Sequence, residues 1–119
     1  MRPPKSVAAK RRRVRRNQKH VIYRLICVAT GDTYIGITAA RGRKPLAAAW
    51  SRFYAHRSDA LRYRAEYPLF KCIQRHSDWD VEVLETARTK TVAHVREREL
   101  CLTLMPTLNW SLQPRRKAA

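Results

Sequence analysis

A glutamate in the middle of an apolar stripe needs an explanation, and Glu97 is one. With residues 91–105 read as a helix of about 100° per residue, Glu97 falls at the centre of an arc made by Ala93, Leu100, Cys101 and Leu104. Glu99 points the other way, beside Arg96 and Thr103. A carboxylate among apolar neighbours is costly unless it is paired. A core arginine would serve, and so would a divalent cation, since magnesium is typically held by one or two carboxylates plus phosphates. Spacing alone leaves both open. Arg52 and His56 are four apart and so share a helix face, together with Ala48 and Ala49. A guanidinium fits phosphate oxygens as a fork, and an imidazole relays protons near neutral pH. The third feature is the stretch "TYIGIT" at 33–38, in which Gly36 interrupts a strand just after Tyr34. Glycine in a strand interior marks a bulge or the close approach of something else.

These side chains depend on the elements that carry them. "HVIYRLICV" at 20–28 and residues 33–38 read as two strands of a hairpin, with the turn at 29–32. A two-residue turn centred on Thr30-Gly31 or on Gly31-Asp32 pairs odd positions with even ones. Tyr23, Tyr34 and Gly36 then share one sheet face. Ile22, Ile26, Ile35 and Ile37 lie on the other, which reads as the core, leaving two phenols beside bare backbone on the first. A basic loop at 39–45 leads into a helix over 45–57 that opens on Pro45. A shorter helix follows over 67–76, opening on Pro68, then a strand over 78–86 and a helix over 91–105 stopped by Pro106. The order β-β-α-α-β-α defines an α/β fold, a three-stranded antiparallel sheet flanked by helices. It occupies residues 20–112, between a basic arm at 1–19 and a basic tail at 113–119.

Charge indicates the partner. The 119 residues carry 26 Lys/Arg against 9 Asp/Glu, a formal net charge of +17. A field of that sign attracts polyanions, either nucleic acid or an anionic surface. Nine of the basic residues lie in 1–19 and three in 115–117, so residues 20–114 are only about +5. "KRRRVRR" at 10–16 has too little apolar content to pack and reads as a phosphate-binding arm of Lys10, Arg11, Arg12, Arg13, Arg15 and Arg16. A targeting role is the alternative for this arm. Arg41, Arg43, Lys44 and Arg57 add basic groups on the domain. No apolar run approaches the roughly 18–20 residues of a membrane span, and the first 20 residues lack the apolar stretch of a signal peptide. Cys27, Cys72 and Cys101, an odd number without CxxC spacing, read as reduced core thiols in a cytoplasmic setting. With the four histidines they show no paired zinc-ligand spacing.

Taken together, the motifs resemble the GIY-YIG nuclease family. "VIY" at 21–23 and "YIG" at 34–36 resemble the two motifs that name it, with Val21 in place of the first glycine. "RFYAH" at 52–56 matches its Arg-x-x-x-His helix, and "PLFKCIQRHSDWDVEVLET" at 68–86 its second helix and third strand. "ERELCLTLMPTLN" at 97–109 matches its Glu, the Pro nine later and the Asn twelve later. The resemblance covers residues 20–110 in the family's order. It implies a metal-dependent endonuclease acting on DNA, most simply double-stranded, that is homing-endonuclease-like or structure-specific. The short basic form resembles the single-domain members of bacteriophage genomes. The implied catalytic residues are Tyr23, Tyr34, Arg52, His56, Glu97 and Asn109. Glu97 would hold one Mg²⁺ or Mn²⁺, and Arg52 would clamp the phosphate. Tyr23, in preference to Tyr34, would take a proton from the attacking water with His56 as relay, since a free phenol of pKa about 10 is a poor base. Asn109 would position the segment after the last helix against the site's backbone. Gly36 would lie where the scissile phosphate comes. No small-molecule cofactor is implied. A non-catalytic nucleic-acid-binding protein on the same scaffold is the alternative, and a ribosome-associated protein would explain the charge but not Glu97.

Overall fold

The computed structural model describes residues 20–63 and 67–109. The arm, the tail and residues 110–112 of the expected domain lie outside them. The elements run β1 (His20–Cys27), β2 (Thr33–Ala39), α1 (Pro45–Tyr63), α2 (Pro68–Arg75), β3 (Trp79–Ala87) and α3 (Lys90–Leu104). The described chain is a small α/β domain with a three-stranded antiparallel sheet of order β2-β1-β3 and three helices. Among the described residues no helix is long and apolar enough to cross a membrane.

The hairpin register pairs Tyr23 with Gly36 and Leu25 with Tyr34. The connection is not the expected two-residue turn. Cys27 N–H donates to Asp32 O (2.8 Å) and Gly31 N–H to Cys27 O (2.7 Å), enclosing the four residues 28–31 with Gly31 at φ +80°. Two and four are both even, so the parity that puts Tyr23, Tyr34 and Gly36 on one face is kept. Against β3, β1 shifts register between Ile22 and Tyr23, leaving Leu84 as an extra residue opposite the point where Tyr23 begins its pairing. Such a bulge re-aims side chains and increases local twist.

Both sheet faces are covered, which corrects the expected division into a core face and a half-exposed tyrosine face. The larger core is on the tyrosine side: Val21, Tyr23, Leu25 and Cys27 pack with Ala48, Ala49 and Phe53 of α1, Leu69 and Ile73 of α2, and Trp79 and Val81 of β3. Ile22 and Ile35 form a smaller cluster under Cys101 of α3. The reason is supply: α1 and α2 both lie on the tyrosine side, whereas α3 alone covers the other. Helix α1 also runs six residues past its expected end at 57. No Gly or Pro interrupts it before Pro68, and Ala60 is fully buried, so packing extends the helix by more than a turn.

Helix α3 is capped at both ends. The Thr89 hydroxyl accepts from Val92 N–H (3.1 Å), and Met105 leaves the helix in the left-handed region at φ 50°. The turn throws residues 107–109 onto the free edge of β2. Leu108 N–H donates to Thr33 O (2.8 Å), Thr33 N–H to Thr107 Oγ1 (3.1 Å), Ile35 N–H to Asn109 Oδ1 (2.8 Å), and Asn109 Nδ2 to Ile35 O (2.8 Å). Asn109 thus occupies both outward backbone groups of one residue on an edge strand. Replacing it with alanine strands two buried groups, at about 1–3 kcal/mol each. The expected loss of about 2–6 kcal/mol is measurable by urea unfolding.

Candidate active site

Gly36 lies directly opposite Tyr23, and Tyr34 is its neighbour but one along β2. A Cβ built on Gly36 would stand 2.5 Å from Tyr23 Oη, 2.8 Å from Tyr23 Cζ and 2.9 Å from Tyr34 Cε2. The glycine is therefore required by space and not by backbone conformation. What approaches it so closely is the pair of phenols, whose ring centroids are 6.3 Å apart.

Helix α1 brings His56 onto the same spot. Its ring is 8% exposed and meets Tyr34 edge-on at 5.6 Å and Phe70 of α2 at 6.2 Å. Tyr23 Oη lies 3.0 Å from His56 Nε2. Burial, assisted by the Arg52 charge, pushes the imidazole down to about 4. Burial, with the nearby Tyr34, holds the Tyr23 phenol well above its ordinary value, and burial and Glu97 raise Tyr34. At neutral pH the imidazole is thus neutral and the phenol keeps its proton, so Tyr23 donates and Nε2 accepts.

The depressed imidazole has a thermodynamic consequence. The unfolded chain takes up this proton near the ordinary value of 6.5 and the folded chain only near 4, so the unfolded state binds more protons between them. The His56 contribution is therefore favourable to folding above pH 6.5 and is lost as pH falls toward 4. Stability of wild type minus that of His56→Gln is expected to decline over this window and to level off below it, as read by chemical unfolding at a series of pH values.

Arg52, one turn before His56, is exposed at the rim. Its guanidinium lies close enough to lower both phenols, against burial and against Glu97, which raises both. Glu97 reaches this region from α3. Its side chain is 25% exposed, and burial raises its carboxyl. Its ion-pair contact is His94 Nδ1 at 3.8 Å. Arg96, on the Glu99 side of the helix, bonds Glu85 (2.8 and 2.9 Å) and Glu99. Among the described residues no Lys or Arg comes within ion-pairing distance of Glu97, so the core-arginine explanation of its position fails. A half-buried carboxylate with no Lys or Arg in ion-pairing contact, influenced by His94 and Arg98 and acting electrostatically on both phenols, is of the donor type that suits a hard divalent cation.

Tyr23, Tyr34 and His56 thus meet in direct contact, with Arg52 and, from the helix on the other sheet face, Glu97 acting on both phenols electrostatically, while Asn109 acts one layer back, holding β2 between Tyr34 and Gly36. Arg41, Arg43, Lys44 and Arg57 are exposed. Arg43 Nη1 donates to Ser51 Oγ (2.7 Å), tying the basic loop to α1. Lys10, Arg11, Arg12, Arg13, Arg15 and Arg16 lie outside the described residues. Two contributors escaped the sequence reading. Phe70, which walls His56, looks like any apolar helix residue. Thr107, which accepts from Thr33 N–H and donates to Asp32 Oδ1 (2.9 Å), has no local signature.

The chain matches no family model, no curated protein and no solved structure. The described residues form a small α/β domain with a buried phenol–imidazole pair, an exposed arginine one turn away and a half-buried Glu97 carboxylate.

Proposed function

We propose that this domain is a metal-dependent DNA endonuclease of the GIY-YIG type. The observation that carries the reading is the convergence of Tyr23, Tyr34 and His56 over the bare backbone of Gly36, with Arg52 and Glu97 acting electrostatically on both phenols. The motif residues quoted from the sequence and the net charge of +17 point the same way.

In this reading Arg52 grips non-bridging phosphate oxygens from the rim. The attacking water gives its proton to Tyr23 Oη as the phenol's own proton passes to His56 Nε2, so no free phenolate forms. The resting imidazole is a weak base because it is buried beside Arg52. An incoming phosphodiester neutralises Arg52 and itself favours the imidazolium, so substrate raises the basicity of His56 when it is needed. Glu97 would hold one Mg²⁺ or Mn²⁺, which when bound supplies charge neutralisation at the phosphate and leaving oxygen. Tyr34 packs edge-on against the His56 ring and holds it against Tyr23.

The test is supercoiled plasmid incubated with the purified full chain and Mg²⁺, with an EDTA control. Conversion to nicked or linear DNA that EDTA abolishes is the expected result. Plasmid retention without conversion at any metal concentration would instead indicate a non-catalytic nucleic-acid-binding protein.

The arm contributes affinity and no chemistry, since none of the converging residues lies in 1–19. Deleting it is expected to leave cleavage intact at saturating enzyme and to weaken binding on any sequence. If it contacts four to six phosphates, the slope of log affinity against log salt flattens by about 0.9 per contact. Binding across a salt series on two unrelated duplexes, in a Glu97→Gln background, measures this. An unchanged slope would favour a targeting role for the arm.

A further inference from the structure

Away from the phenols, at the other end of β1, three ligand-type side chains meet. Cys27 Sγ, Cys72 Sγ and a His76 ring nitrogen all lie within 4.8 Å of one another. The sequence shows no paired zinc-ligand spacing here; the fold brings the three groups together from two elements. Cys72 lies in the last turn of α2 and His76 is the extended residue that caps it, its N–H on Cys72 O, and the hairpin end supplies Cys27. Four steps along β1, about 13 Å at ~3.3 Å each, separate Cys27 from Tyr23.

We propose that Cys27, Cys72 and His76 form a binding site for a thiophilic divalent cation of the zinc class. Zn–S bonds of about 2.3 Å and Zn–N bonds of about 2.0–2.1 Å set tetrahedral corners roughly 3.5–3.8 Å apart, so the cluster needs only about 1 Å of contraction. Two thiolates and an imidazole select zinc-like ions over magnesium, which separates this site chemically from Glu97. His76 is preset for the role. Its N–H donates to Cys72 O (3.0 Å) and its C=O accepts from Trp79 Nε1 (2.8 Å), so the backbone under the ring is held on both sides. Cys27 is fully buried and His76 half-buried, so the fourth corner opens toward solvent on the His76 side. Binding would release the thiol protons and clamp the end of β1 to α2.

The experiment uses Co²⁺ as the probe, added to untagged, chelator-stripped full chain under a non-thiol reductant. One equivalent is expected to bring up thiolate-to-cobalt charge-transfer absorption with the intense d–d bands of tetrahedral geometry, and one equivalent of Zn²⁺ to bleach both. Cys72→Ser and His76→Ala are each expected to weaken Co²⁺ binding on the order of 100-fold or more, beyond the loss typical of an outer-shell partner. Cys101→Ser, whose thiol lies in the other core, is expected to keep the full spectrum. Because the readout is spectroscopic, the site stands or falls separately from nuclease activity. Absence of charge-transfer bands in the reduced wild type would overturn the proposal. So would bands that survive Cys72→Ser and His76→Ala together.

Discussion

Glu97→Gln is expected to abolish plasmid cleavage while DNA binding persists or tightens. The substitution keeps shape and removes one negative charge from the vicinity of the phosphate. The loss of rate should be at least 10²–10³-fold, the scale of deleting one electrostatic contribution to a transition state. The stability change should have the opposite sign to a structural role. Burial raises this carboxyl above its ordinary value. Any stabilisation it gives belongs to the protonated form and is lost as pH rises through the folded-state value. At neutral pH the charged group is a burden on the fold, so the glutamine variant should melt at the same temperature or higher. Glu99→Gln is the control: Glu99 is 53% exposed and bonded to Arg96, and its loss should leave cleavage within a few-fold of wild type. Plasmid cleavage and thermal melts of both variants decide the matter. A Glu97→Gln protein that cuts normally, or a Glu99→Gln protein that does not, would put the site on the wrong face of α3.

Gly36→Ala is expected to damage fold and chemistry together. The new methyl would sit 2.5 Å from Tyr23 Oη and 2.8 Å from Cζ, distances no real Cβ tolerates. Tyr23 is 1% exposed, so its ring has nowhere to swing without disturbing the core or breaking the bond to His56. Overpacking of this kind costs about 1–3 kcal/mol, and a displaced relay should lose on the order of 10²-fold or more in rate. The double variant Gly36→Ala with Tyr23→Phe separates the two effects. Removing Oη relieves the closest clash while Cζ remains at 2.8 Å, so stability should recover in part and activity not at all. Urea unfolding and plasmid cleavage on the three proteins provide the readout. Normal stability and turnover in Gly36→Ala would mean the two phenols do not hold their places over the strand.

Local pattern determined much of this protein. Alternation and turn residues located all three strands, Pro45, Pro68 and Pro106 punctuated the helices, and the even parity of the hairpin loop placed Tyr23, Tyr34 and Gly36 on one face for a loop of two or of four residues. The helical wheel separated Glu97 from Glu99, because side-chain direction along a helix is a matter of arithmetic once the helix exists. Tertiary structure alone decided the rest. Where Arg96 paired was one such matter: Glu85, eleven residues away on β3, captured it. Which sheet face became the main core depended on how many helices docked there. The end of α1 depended on what Ala60 packed against, and the meeting of Cys27 with Cys72 and His76 on where α2 came to rest beside β1. These are contacts between residues far apart in the chain. They are set by packing and charge in three dimensions, and no local periodicity encodes them.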